Sequence, residues 1–508
     1  MELVALLQWK IKTISIVHTR KAVAFNSTHL HFTPFNSQEI TIKTLRTMFA
    51  KETYIHRRQQ LKETLKSGLL LFLGNNECGM NYADNTYHFR QDSTFLYFFG
   101  SDYAGLAAVI DIDENREIIF GDELTIDDIV WMGTQPTISE KSERVGISET
   151  MPMKELRNYL ERAAAKGQSI HYLPPYRGDH KLWLQELLGI HPAEQAAKSS
   201  VPLIRAIVEQ RSYKSAEEIA QIEEAVNTSV EMHVTAMRMA RPGIKESEIA
   251  AAVTEVAMRN GGNLSFPVIA TINGQTLHNH CHSNVLKEGQ LFLLDAGAEN
   301  GMHYAGDLTS TMPVSTHFTE RQKIVYDINH RAYTAAVNAL KPGVPFRDVH
   351  MIAVTEIAKG MKELGLLKGD PAEAARVGAY ALFMPCGLGH MMGLDVHDME
   401  NLGEVWVGYD GQPKSTQFGF KSLRLARKLE PGFVFTVEPG IYFIPELIDK
   451  WRAEKMFTDF ICYDKLDAWK DFGGIRNEED YLITADGARR LGNHKPSSAE
   501  EIEAERNR

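Results

Sequence analysis

Cysteine is scarce in this sequence: Cys78, Cys281, Cys386 and Cys462 are the four thiols in 508 residues, and none forms a CxxC pair. That excludes a disulfide framework and fits a reducing, cytoplasmic compartment. Long apolar runs are missing too, and none approaches the roughly 18 residues that a membrane span needs. Positive charge is in deficit, with 55 Lys and Arg against 66 Asp and Glu and a net charge of −11. This argues against non-specific binding to nucleic acid or to an anionic membrane, both of which want basic patches. There is no short-period repeat. The first residues do not make a secretion signal: Glu2 stands where positive charge belongs, Lys10 and Lys12 interrupt the apolar run, and no small-residue cleavage site follows. What is present is ordinary globular composition, 44% hydrophobic and 24% charged, in a chain long enough for two domains with a core each.

Residues 1–47 have no clear hydrophobic period and read as an extension. A helix opens near Met48, runs through Tyr54, Leu61 and Leu65, and stops at Gly68. Residues 48–200 read as an α/β domain: strands at 69–73 and 95–99, and a hairpin of 106–112 with 117–120 turning at Asp113-Glu114-Asn115. Residues 201–214 read as a linker. The second domain, 215–492, starts sharply, because Ser215 and Glu218 form a capping box ahead of the apolar stripe Ile219, Ile222, Val226, Val230. A second helix carries Ile249, Val253 and Val256 and ends at Asn260-Gly261-Gly262. Strand-like segments follow at 266–272, 291–294 and 302–313, then helices near 320–340 and 346–364, then strands with Gly and Pro punctuation up to 484. Residues 493–508 read as a charged tail.

Four carboxylates and one imidazole stand out in the second domain. Asp295 ends the apolar run Leu291-Phe292-Leu293-Leu294, and Asp307 follows 12 residues later. His390 lies in Gly387-Leu388-Gly389-His390, Glu438 follows another apolar run, and Glu478 lies in Asn477-Glu478. Each alone reads as a cap, a turn residue or a solvated charge; the conjunction carries the inference. A hard, oxygen-rich set of this kind suits two divalent ions rather than one structural zinc. Ions about 3.5–4 Å apart need shared negative charge, so two of the carboxylates must bridge, and such a pair acidifies a water towards neutral pH. A rival site is His278, His280 and His282, whose alternation puts them on one face if the segment is a strand. His278 is preferred as functional, with the other two local.

The ordered set Asp, Asp, His, Glu, Glu in DAG, YAGDLT, GLGHMMGLDVHD, TVEPGIYF and GGIRNEED resembles the creatinase/methionine-aminopeptidase-like metallopeptidases, over about residues 215–492. Within them it resembles the proline-specific members, aminopeptidase P and prolidase. Tyr87-His88-Phe89-Arg90-Gln91-Asp92-Ser93, with Phe95 and Tyr97, is similar to the N-terminal domain motif of aminopeptidase P. The resemblance implies an α/β (α+β) chain, a pita-bread catalytic domain after a smaller creatinase-like domain. It implies that Asp295 chelates one ion, that His390 and Glu438 hold the other, and that Asp307 and Glu478 bridge. It further implies His278 near the substrate, His397 at the scissile carbonyl and Arg476 supporting the site, and in the expected mechanism Glu438 or a bound water shuttles the proton to the leaving nitrogen. Two divalent ions are implied, manganese first, with cobalt, zinc or iron accepted by the same ligands. The substrates implied are peptides with proline in second position, and the assembly a homo-oligomer, dimer or tetramer.

The chain departs from the pattern twice. The spacing between Asp295 and Asp307 is one residue longer than usual, an insertion in the turn at 299–303, and Cys386 stands where many relatives have His. Cleavage of the N-terminal Xaa-Pro bond is the expected activity. Its alternative is a dipeptidase, for which Arg424 would neutralise the substrate carboxylate. A non-catalytic binding protein on the same fold is the third reading.

Overall fold

The computed structural model describes residues 49–508; the extension read at 1–47 lies outside the described residues. The first helix among the described residues spans Lys51–Leu65, with Lys66 in a left-handed cap. A five-stranded sheet follows in the order β4-β3-β2-β1-β5, formed by β1 (Leu69–Leu73), β2 (Ala107–Asp111), β3 (Arg116–Phe120), β4 (Glu149–Met151) and β5 (Ile170–His171). β1, β2 and β3 pair antiparallel, and the Asp113-Glu114-Asn115 turn closes the hairpin as expected, with Asn115 at φ 50°. Alternation along these strands divides the core. Leu69, Leu71, Val109, Ile118 and Phe120 form one cluster with Leu156, Leu160 and Leu184 of the helices Glu155–Ala165 and Gly178–Leu188. Leu70, Phe72, Ala108, Ile110 and Ile119 join the larger core, which continues into the second half of the chain.

One expectation fails here. Residues 95–99 are not a strand but lie in the helix Ser93–Phe99, capped by the Asp92 carboxylate, which accepts from the Phe95 backbone N–H at 2.8 Å, and closed by Gly100 in the left-handed region. All seven residues are buried, so no face alternates and the period is unreadable. Within the segment read as a linker, Val201–Ser212 is a helix with Leu203, Ile204, Ile207, Val208 and Arg211 buried.

Beyond it, one arrangement occurs twice. The helices Ala216–Met239 and Glu246–Arg259 accompany the antiparallel sheet β10-β8-β7, formed by β7 (Ile269–Thr271), β8 (Leu291–Ala296) and β10 (Leu308–Pro313). The expected Ser215–Glu218 capping box is formed. The short pair β6 (Asn263–Leu264) and β9 (Ala298–Glu299) flanks this sheet. The helices Glu320–Asn338 and Phe346–Glu363 accompany the sheet β11-β14-β15, formed by β11 (Val434–Val437), β14 (Glu479–Ile483) and β15 (Ala488–Arg490), with the pair β12 (Gly440–Tyr442) and β13 (Gly474–Arg476) beside it. The strand expected at 302–313 begins only at Leu308, because 300–303 turns: Asn300 Oδ1 accepts from the Met302 N–H at 3.0 Å, and His303 sits at φ 67°. The helix Ala499–Arg506 closes the chain. Among the described residues no helix is long and apolar enough to cross a membrane.

Candidate metal centre

Both sheets aim their strand ends at one cavity of about 250 Å³. Asp295 lies in β8, opposite Thr309 of β10 in the register. Asp307 immediately precedes β10, so Asp307, Thr309 and Thr311 share a face. On that face the Thr309 hydroxyl donates to Glu478 Oε2 at 2.7 Å, and the Thr311 hydroxyl donates to the Arg476 carbonyl at 3.0 Å. Glu438 follows β11 and Glu478 precedes β14, flanking the last register pair Val437↔Glu479. An isolated bridge, Thr309↔Glu478, joins the two halves. His390 is fixed against β11: its carbonyl accepts from the Thr436 N–H at 3.0 Å, and its own N–H donates to the Thr436 hydroxyl at 3.2 Å. Gly389 is required there, because a Cβ would collide with the Thr436 carbonyl oxygen.

Asp295, Asp307, His390, Glu438 and Glu478 all line this cavity, with His278, His397, Arg424, Tyr442 and Arg476. Asp307, His390 and Glu478 come closest together, with one ligand atom of each within 4.8 Å of the others; among the described residues this is the one such group. His390 Nε2 lies 3.4 Å from Asp307 Oδ2 and 3.8 Å from Glu438 Oε1. Its Nδ1 faces the Met391 carbonyl at 3.1 Å and must donate to it, which leaves Nε2 with its lone pair towards the carboxylates. Arg476 Nη2 donates to Asp295 Oδ2 at 2.5 Å, Nε to the Thr309 hydroxyl at 3.1 Å and Nη1 to the Tyr442 hydroxyl at 3.0 Å.

The electrostatics match a site built for cations. Burial, with Asp295 beside it, pushes Asp307 up to about 8. Burial also pushes Glu438 up to about 8, helped by Asp307 and Asp295, and lifts Glu478 well above the carboxylate range. Burial drives His390 down to about 4, so the ring is neutral and able to ligate. Asp307 Oδ1 is buried and has no hydrogen-bond partner. Arg476 is the one buried guanidinium lining the cavity, against four carboxylates. Buried carboxylates without counter-charge are costly. Oxygen donors plus one imidazole, with an orphaned carboxylate oxygen among them, fit divalent cations.

The three-histidine alternative does not assemble. His278 and His280 are both exposed and both border the cavity, but His282 Nε2 is engaged by the Val268 carbonyl at 3.0 Å, and among the described residues no group of three histidines comes within ligand distance. Cys386 borders the cavity near the Tyr442 hydroxyl, and burial pushes its thiol up to about 12, which keeps it protonated. Arg424 Nε lies 3.4 Å from both Glu400 Oε2 and Glu404 Oε1. Several participants were not picked out from the sequence: Thr309, Tyr442, Thr436 and Glu400, whose Oε2 meets His397 Nδ1 at 2.5 Å. The alternation Asp307-x-Thr309-x-Thr311 was the available signal for Thr309.

The Tyr87–Ser93 box grips the segments that carry these groups. Arg90 Nη2 donates to the Leu394 carbonyl at 2.7 Å and Nε to Glu299 Oε2 at 3.0 Å. The Ser93 hydroxyl donates to Asp395 Oδ1 at 2.5 Å. Arg211 donates to Asp395 and Asp398 at 2.9 and 2.7 Å, and Lys214 to Asp398 at 2.8 Å. Asp395 and Asp398 bracket His397, and Glu299 begins the turn before Asp307. His303, in that lengthened turn, meets Glu299 and Asp102 at 2.9 Å each. Arg90→Ala is therefore expected to lower kcat for peptide hydrolysis by about tenfold, with Arg90→Lys intermediate. Steady-state kinetics of the three proteins check this; an unchanged kcat in Arg90→Ala would mean that the grip is dispensable.

Comparison with known proteins agrees with this geometry. The profile of "Metallopeptidase family M24" matches residues 220–485, and that of "Aminopeptidase P, N-terminal domain" matches residues 54–172. The Xaa-Pro dipeptidase of Homo sapiens is 31% identical over 464 residues, covering 88% of this chain and 92% of its own. A probable Xaa-Pro aminopeptidase of Metarhizium acridum is 28% identical over 467 residues, covering 86% and 90%. Among solved structures, a variant of Escherichia coli aminopeptidase P in complex with substrate superposes with a TM-score of 0.75 at 27% identity, over 91% of this chain and 99% of that one. The aminopeptidase PepP of Pseudomonas aeruginosa gives 0.74 at 25% identity, over 91% and 98%.

Proposed function

The chain belongs to metallopeptidase family M24, as an enzyme of its Xaa-Pro aminopeptidase and dipeptidase branch with an aminopeptidase P-type N-terminal domain and a pita-bread catalytic domain, and from that premise we propose that it cleaves the N-terminal Xaa-Pro bond of peptides longer than two residues. The observation that carries the choice is a second cavity of about 720 Å³ that meets the first at Val396 and His397 and extends between the two domains past Tyr87, Arg90 and Tyr176. It offers room for residues beyond proline. Arg424 favours the dipeptidase reading by bordering the site, yet its guanidinium already faces Glu400 and Glu404.

In this reading Asp295, Asp307, His390, Glu438 and Glu478 hold two divalent ions, manganese first. Bound ions supply Lewis-acid activation of the scissile carbonyl and of the attacking water. The protein's own groups do the rest. Glu400 engages His397 Nδ1 and leaves Nε2 for the carbonyl oxygen; when the ring is charged it donates there, and Glu400 balances the charge. Glu438, or a water held beside it, carries a proton to the leaving nitrogen. Arg476 holds Asp295 in orientation, and His278 at the mouth contacts the substrate. Proline makes the scissile bond a tertiary amide without N–H, so recognition falls on the ring and the free amine rather than on that hydrogen bond. Scarce cysteine, with all four thiols free, supports a cytosolic setting.

Hydrolysis of Ala-Pro-Ala and Ala-Pro with added Mn²⁺ tests the proposal. The tripeptide is expected to be cleaved to alanine and Pro-Ala, with activity kept in Arg424→Ala. Turnover of the dipeptide alone, lost in Arg424→Ala, would install the dipeptidase reading instead.

A further inference from the structure

The segment read from the sequence as a charged tail runs behind the metal centre. Lys495 is fully buried, and its Nζ donates to the Thr309 carbonyl at 3.1 Å and the Ser310 hydroxyl at 3.2 Å, and lies 3.6 Å from Glu479 Oε1. Two residues on, the Ser497 carbonyl accepts from Asn477 Nδ2 at 3.0 Å and from the Tyr326 hydroxyl at 2.8 Å. Pro496 between them fixes φ and stiffens the stretch. Lys495 and Ser497 thus grip the strand that begins after Asp307 and the residue immediately before Glu478. The helix Ala499–Arg506 anchors the grip: Ser498 and Glu501 form its capping box, Ile502 is fully buried, and Arg506 donates to the Met237, Pro313 and Val314 carbonyls. Lys495 also brings a buried cation to the back of a wall containing Glu478, Glu479 and Asp480, all buried.

We propose that Lys495-Pro496-Ser497 is a strap that positions the metal ligands: by holding Thr309 and Asn477 it keeps Asp307 and Glu478 at the separation a divalent ion needs, and so sets metal affinity. Lys495 and Ser497 touch no substrate; they act through Thr309 and Asn477, which makes them positioning residues. The inference rests on the reading of these carboxylates as metal ligands. A purely structural plug would behave differently: its loss would lower thermal stability and leave the affinity of the folded protein unchanged.

The test uses the full chain. Lys495→Met and Asn477→Ala are compared with the parent for Mn²⁺ affinity by competition with a chelator, with circular dichroism and thermal unfolding of the metal-free forms. Each variant is expected to bind Mn²⁺ about tenfold more weakly or worse, as outer partners of metal ligands do. Should Lys495→Met fail to fold, Asn477→Ala, which keeps Lys495 and cuts the other grip, gives the answer alone. Parent-like affinity in a folded variant overturns the strap. Absence of Mn²⁺ binding in the parent itself overturns the functional reading beneath it, so the two failures are distinguishable.

Discussion

Glu478→Gln is expected to abolish hydrolysis of proline peptides while leaving the metal-free protein at least as stable as the parent. The two effects have one cause. Glu478 is buried beside Asp307, Glu438 and Asp295, and burial with these like charges holds its proton affinity far above that of a free carboxyl. In the metal-free fold it behaves as a neutral group, and an amide of the same shape replaces it at little cost. The Thr309 hydroxyl still finds an oxygen acceptor at position 478. The charge that the site needs for cations is gone, however. Loss of a preorganised electrostatic partner in a dry site costs about a thousandfold in kcat, or about 4 kcal/mol of transition-state stabilisation. Kinetics with saturating Mn²⁺ and thermal melts after chelation check both halves. Wild-type activity in the variant would remove Glu478 from the centre, and a large drop in the metal-free melting point would make it a structural residue.

Metal-free protein is expected to lose stability as pH rises from about 6.5 to about 8. Free carboxyls titrate near ~4, whereas Asp307 and Glu438 are each pushed up to about 8 in the fold. The folded state therefore keeps protons that the unfolded chain has released, and each retained proton lowers the unfolding free energy by about 1.4 kcal/mol per pH unit across that interval. The stabilisation is complete below the unfolded value and is gone above the folded one. Buried histidines pull the other way but elsewhere: His390 at about 4, and His233 and His350 at about 3, are depressed, so their contribution is lost as pH falls below the free-histidine range. That separation leaves the neutral-to-alkaline limb to the carboxylates. Bound ions reverse its sign, because ligation releases those protons and tightens with pH. Urea midpoints of chelated and Mn²⁺-loaded protein between pH 6.5 and 8 measure it; a flat or rising midpoint in chelated protein would sink the account.

Part of the site is legible in the sequence because two of the ligands sit at the end of an apolar run with glycine close by, where a strand delivers a side chain to an edge. Asp295 after Leu291–Leu294 and Glu438 after Val434–Val437 are of this kind. The helix after Ser215 is legible for a different reason: a cap followed by one apolar stripe. Other features were hidden by the loss of a period. Ser93–Phe99 is buried on every side, so helix and strand look alike there. Val201–Ser212 mixes Arg205, Glu209, Gln210 and Arg211 into its turns and reads as a polar connection, although Arg211 is buried as the counter-ion of Asp398. Partnerships across long stretches of chain, such as Thr309 with Glu478 or Lys495 with Thr309, leave no local trace, since they depend on how two sheets meet.

The aromatic helix Ser93–Phe99 shares one continuous core with Ile222, Val226 and Phe435. The catalytic half therefore cannot travel as a cassette. A recombinant beginning at Ser215 would carry a raw greasy face and lack Arg90, Ser93 and Arg211, so chimaeras between relatives need to inherit residues 51–212 together with the peptidase half rather than exchange them at a junction.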